Sequence, residues 1–160
     1  MGEMSYSQVE GILYNYKIIK ASIENNKIKL DDLELEDPED GMPSISYGDP
    51  SSKTNKISSA VETAAMINIE RKERLKKELT RTIKRETNKI RRITNALTGL
   101  SEIEKSIITM FYIEDKTWME VAEEMNYSQS WCQELRCIAM DKILLIINGT
   151  GKSGRKKGEK

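Results

Sequence analysis

The chain predicts an all-α protein: a long helical hairpin or coiled coil followed by a small helix-turn-helix domain. Three observations carry this. Between Leu100 and Ile147, three helix-start signals follow one another at short intervals. Upstream, two long stretches repeat apolar residues at alternating threes and fours, the signature of a helical seam. And with charged residues at 32%, the apolar set at 38%, three Pro and one Phe, the composition favours a helical, solvent-rich chain over a large globular core.

The first segment, about Ser7 to Leu35, reads as one helix. Its seam is Val9, Ile12, Tyr16, Ile19, Ile23, Asn26, Leu30 and Leu33, a strict heptad. Asn26 puts a polar group on the seam, where it can fix register and partner number at some cost in stability. Residues 36–57 hold all three Pro and many turn formers and read as a loop or linker, long for a loop inside a compact unit.

A second long helix is expected from about Ser59 to Leu97, with Leu79, Ile83, Glu86, Ile90, Ile93, Leu97 and Leu100 on its seam and Lys and Arg on its other faces. The two seams can meet as an antiparallel hairpin or as a dimer seam with another copy, so a homo-oligomer through the coiled coil is an expected state. Thr98-Gly99 then ends the helix. Residues 1–97 are thus a helical coiled-coil region with a loop at 36–57, and 98–147 the helix-turn-helix domain.

Within that domain, Ser101-x-x-Glu104 and Thr117-x-x-Glu120 each form a capping box. The hydroxyl accepts from the third amide of the helix while the Glu accepts from the cap's own N–H. Ser128 starts a third helix after Asn126-Tyr127. Helices therefore begin near 102, 118 and 129, the second short and closely followed by the third. Val121, Ala122 and Met125 share one face of the short helix. Cys132, Leu135, Ala139, Ile143 and Ile147 form one stripe on the next. Met119 and Met140 are assigned to the core, as is Trp118. Glu123 and Glu124 are assigned to solvent.

A recognition helix presents its first turns to base edges. That makes Ser128, Gln129, Ser130, Trp131, Gln133, Glu134 and Arg136 the candidate DNA-reading residues. Gln can bond adenine in a bidentate way, Arg can bond guanine, and Glu can accept from cytosine N4. Trp131 has two roles open to it, packing against Tyr112 or Trp118, or touching a thymine methyl. Candidate phosphate contacts are Lys105, Lys116, Thr117, Arg91 and Arg92.

This run resembles the C-terminal, promoter-reading region of bacterial sigma factors, with Leu100, Ser101, Glu104, Thr117, Glu120, Val121, Ala122, Ser128, Ala139, Met140, Lys142 and Ile143 on the shared pattern. The chain up to residue 147 is similar to the sigma-like regulators of phages and prophages, the RinA/ArpU type. That family also carries a loop resembling Ile45-Ser46-Tyr47 and Lys53-Thr54-Asn55, then Ser58-Ser59-Ala60-Val61-Glu62. The resemblance implies a cytoplasmic transcription regulator, an activator of phage or prophage genes. It also implies a sigma-like helix-turn-helix on double-stranded DNA and contact with RNA polymerase.

The formal net charge is zero but unevenly placed. Residues 1–49 hold 4 basic and 11 acidic side chains, 70–92 hold 11 and 4, 101–147 hold 4 and 9, and 148–160 hold 5 and 1. The basic run Arg71–Arg92 reads either as a solvated face paired with the acidic first helix or as a flank on phosphate. The tail 148–160 is expected to be disordered, adding either non-specific attraction to DNA or solubility.

The acidic domain runs against the rule that affinity for DNA rests on Lys and Arg. The alternative is therefore an interaction protein that docks on RNA polymerase or mimics sigma with little or no DNA binding of its own. A packaging adaptor like a small terminase also combines such a domain with an oligomerising coil, though usually with the DNA-reading unit first.

Other classes find little support. With no His, no Gly-rich phosphate loop and no nucleophile motif, an enzyme is not expected. No cofactor or metal is expected either, since Cys132 and Cys137 do not match a metal spacing. Cys132 is assigned to the core and Cys137 to a part-buried thiol. No apolar run approaches a membrane span, and MGEMSYSQVEG does not read as a signal peptide.

Overall fold

In a computed structural model, residues 3–35 and 55–149 are described, with backbone alone for 55–60. The described residues are helical with no strand, as the fold class predicts. The elements are α1 (Tyr6–Tyr14), α2 (Tyr16–Leu35), α3 (Asn55–Thr98), α4 (Glu102–Ile108) continued by a π turn (Thr109–Ile113), α5 (Trp118–Met125) and α6 (Gln129–Asn148). No described helix is long and apolar enough to cross a membrane.

The first predicted helix is two. Asn15 leaves the helical conformation at φ −95°, ψ 12°, and its side-chain amide donates to Gly11 O at 2.8 Å. Gly11 O also accepts from the Asn15 backbone N–H at 3.2 Å, and Asn15 O accepts from Ile19 N–H at 2.8 Å, so α1 passes into α2 through a one-residue turn across which these backbone bonds are kept. α1 also starts earlier than expected, at a capping box of Ser5 with Gln8. α3 begins at Asn55, so 55–57 are helix rather than linker, and residues 36–54 lie outside the described part. The predicted loop there and the tail from 150 onward lie outside the described residues.

Two units divide the chain by their internal packing, one of residues up to Ser22 and from Glu86 onward, the other Ile23–Arg85. The division falls inside the long helices because α1 and the last turns of α3 pack with α4 and α6. In the second unit the seam governs burial. Ile23 is buried, Asn26, Leu30 and Leu33 of α2 are half-buried, and so are Leu79 and Ile83 of α3. Ala65, Lys72 and Lys76 continue that half-buried stripe toward the start of α3. α3 is 44 residues long, about 66 Å at 1.5 Å per residue, a length that fits one arm of a helical hairpin.

The first unit has two cores. One gathers Val9, Ile12 and Leu13 of α1 with Ile93, Ala96 and Leu97 of α3, Leu100, Ile108 and Tyr112, and Ala139, Met140 and Ile143 of α6. Leu13 lies off the heptad seam and is fully buried, because α1 is wrapped on two sides where a coiled-coil helix meets one partner. The other core is Ile107, Val121, Ala122 and Cys132, edged by Met110, Trp118, Met125, Trp131 and Leu135, and Phe111 borders both cores. Each large aliphatic side chain so buried contributes roughly 1.5–3 kcal/mol.

The end of α6 is tied down. Asn148, which the sequence places in the tail, accepts from Met4 N–H at 2.8 Å and donates to Met4 O at 2.9 Å. Arg92 donates to Ile147 O at 3.1 Å. The Arg92 cation thus satisfies a carbonyl that the last turn of α6 leaves open, and the Asn148 amide ties that end to the backbone of Met4 ahead of α1.

Candidate nucleic-acid interface

The three helices of the domain begin where the sequence places them. Ser101 accepts from Glu104 N–H at 3.3 Å while Glu104 Oε2 accepts from Ser101 N–H at 3.0 Å. Thr117 and Glu120 form the same box. Ser128 Oγ accepts from Trp131 N–H at 3.2 Å. There the third helical residue is Trp, so no reciprocal bond forms.

The connections are set by two left-handed residues. Asp115 (φ 58°) turns the chain between the π turn and α5, and Asn126 (φ 56°, ψ 41°) ends α5 ahead of α6. Asn and Asp tolerate this region because their short side chains bond locally. The π turn, marked by Glu114 N–H to Thr109 O at 2.9 Å, widens the first helix at its end. Phe111 thereby stacks on Trp118 (centroids 4.1 Å, 19°), while Tyr112 turns to α1 and meets Tyr14 edge-on at 4.7 Å. Trp118 is packing, as assigned. Sequence spacing does not announce the aromatic cluster Tyr14, Phe111, Tyr112 and Trp118, because α1 comes from far away in the chain.

On α6, Cys132 and Ala139 are buried and Leu135 half-buried, which turns the opposite face outward. Ser128, Gln129, Ser130, Gln133 and Glu134 are all exposed. Trp131 is half-buried against the smaller core, and its ring meets Tyr127 at 4.0 Å rather than Tyr112 or Trp118. Two assignments are corrected. Met119 is 67% exposed, since Val121 and Ala122 take the core side of α5, and Cys137 is exposed rather than part-buried.

Arg136 stands apart from the exposed group. Its Nη1 donates to Tyr112 Oη at 3.2 Å and lies 3.8 Å from Glu10 Oε1, and Tyr112 in turn donates to Glu10 at 2.8 Å. Its guanidinium carbon is 5.9 Å from the Phe111 ring centroid and 5.8 Å from that of Trp118. Its Nε is buried and finds no acceptor among the described residues. Burial pushes the Tyr112 phenol far above its ordinary value, and the bond to Glu10 adds to this, so Tyr112 stays a donor.

The candidate phosphate contacts are unequal. Lys105 is exposed with no ion pair among the described residues. Lys116 is held between Glu114 at 2.8 Å and Glu124 at 2.6 Å, and these hydrogen bonds raise its pKa. Thr117 spends its hydroxyl on the cap, donating to Glu120 at 2.8 Å. Arg91 is exposed and reaches Asn88 at 3.2 Å, whereas Arg92 is occupied at the end of α6. Among the described residues no group of three or more Cys, Asp or Glu is placed to hold a metal.

Comparison with protein-family models, with curated proteins and with solved structures found no match to this chain.

Proposed function

We propose that the protein is a sequence-specific regulator of transcription that reads promoter DNA in the major groove with the start of α6. The observation that carries this is the split of α6. Cys132, Leu135 and Ala139 lock one face against the domain, while Gln129, Ser130, Gln133 and Glu134 stand free on the first two turns of the other. Amide side chains so placed can make the paired bonds that distinguish adenine. The sigma-type pattern of the sequence supports promoter DNA as the target and a phage or prophage setting. A homo-oligomer through the seam positions that stay half-buried in the single chain is in keeping with two half-sites on DNA. Selection from a randomised pool of DNA duplexes tests the reading. It expects enrichment of a short motif, and a pool that stays random contradicts it.

A second reading has its own observation. Of the four basic residues in 101–147, Lys116, Arg136 and Lys142 are each paired to a carboxylate within the protein. A surface so neutralised suits docking on RNA polymerase, with the DNA contacts supplied by the polymerase. The same selection run with polymerase present separates the two, since enrichment only in its presence favours docking.

A further inference from the structure

We infer that Glu10 and Tyr112 are positioning residues that hold Arg136 off the DNA-facing side of α6, so that α1 limits the affinity of the domain for DNA. The inference rests on the reading of α6 as a recognition helix. Arg136 sits seven residues after Gln129 and three after Gln133, so by helical spacing its Cα borders the same edge of α6. An Arg there has the reach to meet a phosphate or a guanine. Instead its guanidinium is folded back onto the domain. It donates to Tyr112 Oη at 3.2 Å, Tyr112 donates to Glu10 at 2.8 Å, and Glu10 also faces the Arg at 3.8 Å.

Three features show that this seat is not the best available to an Arg. The ion pair to Glu10 is long and the Tyr intervenes. Nε is buried without an acceptor among the described residues, and a buried donor left unmade is costly. A third donor is spent on a weak acceptor, Cys137 Sγ at 3.8 Å. A DNA phosphate offers bidentate, charge-assisted bonds that would satisfy these donors. What holds the Arg inward is the carboxylate of Glu10 on α1, and α1 reaches the domain through Val9, Ile12 and Leu13 rather than through α6 alone. Glu10 thus carries a negative charge to a helix that needs a positive one.

The test uses the full chain and a labelled mixed-sequence DNA duplex, titrated at several salt concentrations, with wild type, Glu10→Gln, Tyr112→Phe, Arg136→Ala and the Glu10→Gln/Arg136→Ala pair. Glu10→Gln is expected to tighten binding roughly tenfold and to steepen the salt slope by about one, the signature of one added phosphate contact. In the Arg136→Ala background, Glu10→Gln should change nothing beyond the removal of one negative charge, a far smaller effect. Tyr112→Phe, which keeps the ring, should reproduce part of the gain. Exchange of the Arg136 Nε–H with solvent, followed by NMR, is expected to quicken in Glu10→Gln, and this readout needs no DNA.

Quickened exchange with unchanged DNA affinity and slope would overturn the inference and leave the reading of α6 intact, provided wild type binds. Equal gains with and without Arg136 would overturn it too, since the effect would then be net charge alone. No binding by any variant would remove the DNA reading and this inference together.

Discussion

Lys142 Nζ lies 2.6 Å from Oε1 of Glu104, and Glu104 is 5% exposed, the one buried charged residue among those described. The same carboxylate caps α4 through Ser101. One side chain therefore starts the first helix of the domain and ties it to the last.

Replacing Glu104 tests that double role. Burial alone would push the carboxyl up, but hydrogen bonds from Lys142 and Ser101 outweigh it and hold the group below its usual 4.5. Because the folded value is the lower one, the stabilisation is complete above the unfolded value and disappears as pH falls through the folded one. Glu104→Gln should cost about 1–3 kcal/mol at neutral pH. Urea denaturation from pH 7 down to acid should show the gap between wild type and variant closing below about 4.5. A gap that stays constant with pH would deny the charge its role.

The left-handed residues make a cleaner case. Asn126 closes α5 at φ 56° and Asp115 turns at φ 58°. Asn126→Val should destabilise by about 1–2 kcal/mol, because a β-branched residue clashes in that region, while Asn126→Gly should be near neutral. Thermal melts of the two variants, compared with Asp115→Gly as a parallel case, measure the difference directly.

Gly99 is confined from outside. A Cβ added there would meet Ile146 Cδ1 at 2.5 Å. The obstacle is the far end of a side chain, so Gly99→Ala should cost only about 1 kcal/mol. Ile146→Val, which removes that methyl, should recover most of it in a double-mutant cycle. Additive effects would place the strain in the backbone instead.

Much of the fold was legible because it is written locally. The capping boxes at Ser101 and Thr117 and the cap at Ser128 each need only four consecutive residues, and all three helices start as predicted. The seam of α2 was legible because it obeys one period. What the sequence hid depends on partners distant along the chain. Nothing around Leu13 announces that α1 will be enclosed by α3, α4 and α6, and a seam pattern does not show the turn at Asn15, where φ and ψ leave helical values. The apolarity of Met119 points to the core, but its position on α5 leaves it exposed. For the candidate site, helical spacing located the outward residues of α6, yet it could not show that Glu10, more than a hundred residues upstream, claims Arg136.

The outward residues give the last prediction. Gln129→Ala and Gln133→Ala lie on exposed positions and should leave stability within about 0.5 kcal/mol of wild type. The direct test of the central claim is a footprint of the purified protein on DNA upstream of the genes it adjoins, at two salt concentrations, with and without RNA polymerase. The account predicts a protected site from the protein alone, weakened by salt and lost in the Gln129→Ala/Gln133→Ala variant. Protection that needs polymerase and survives both substitutions would contradict it.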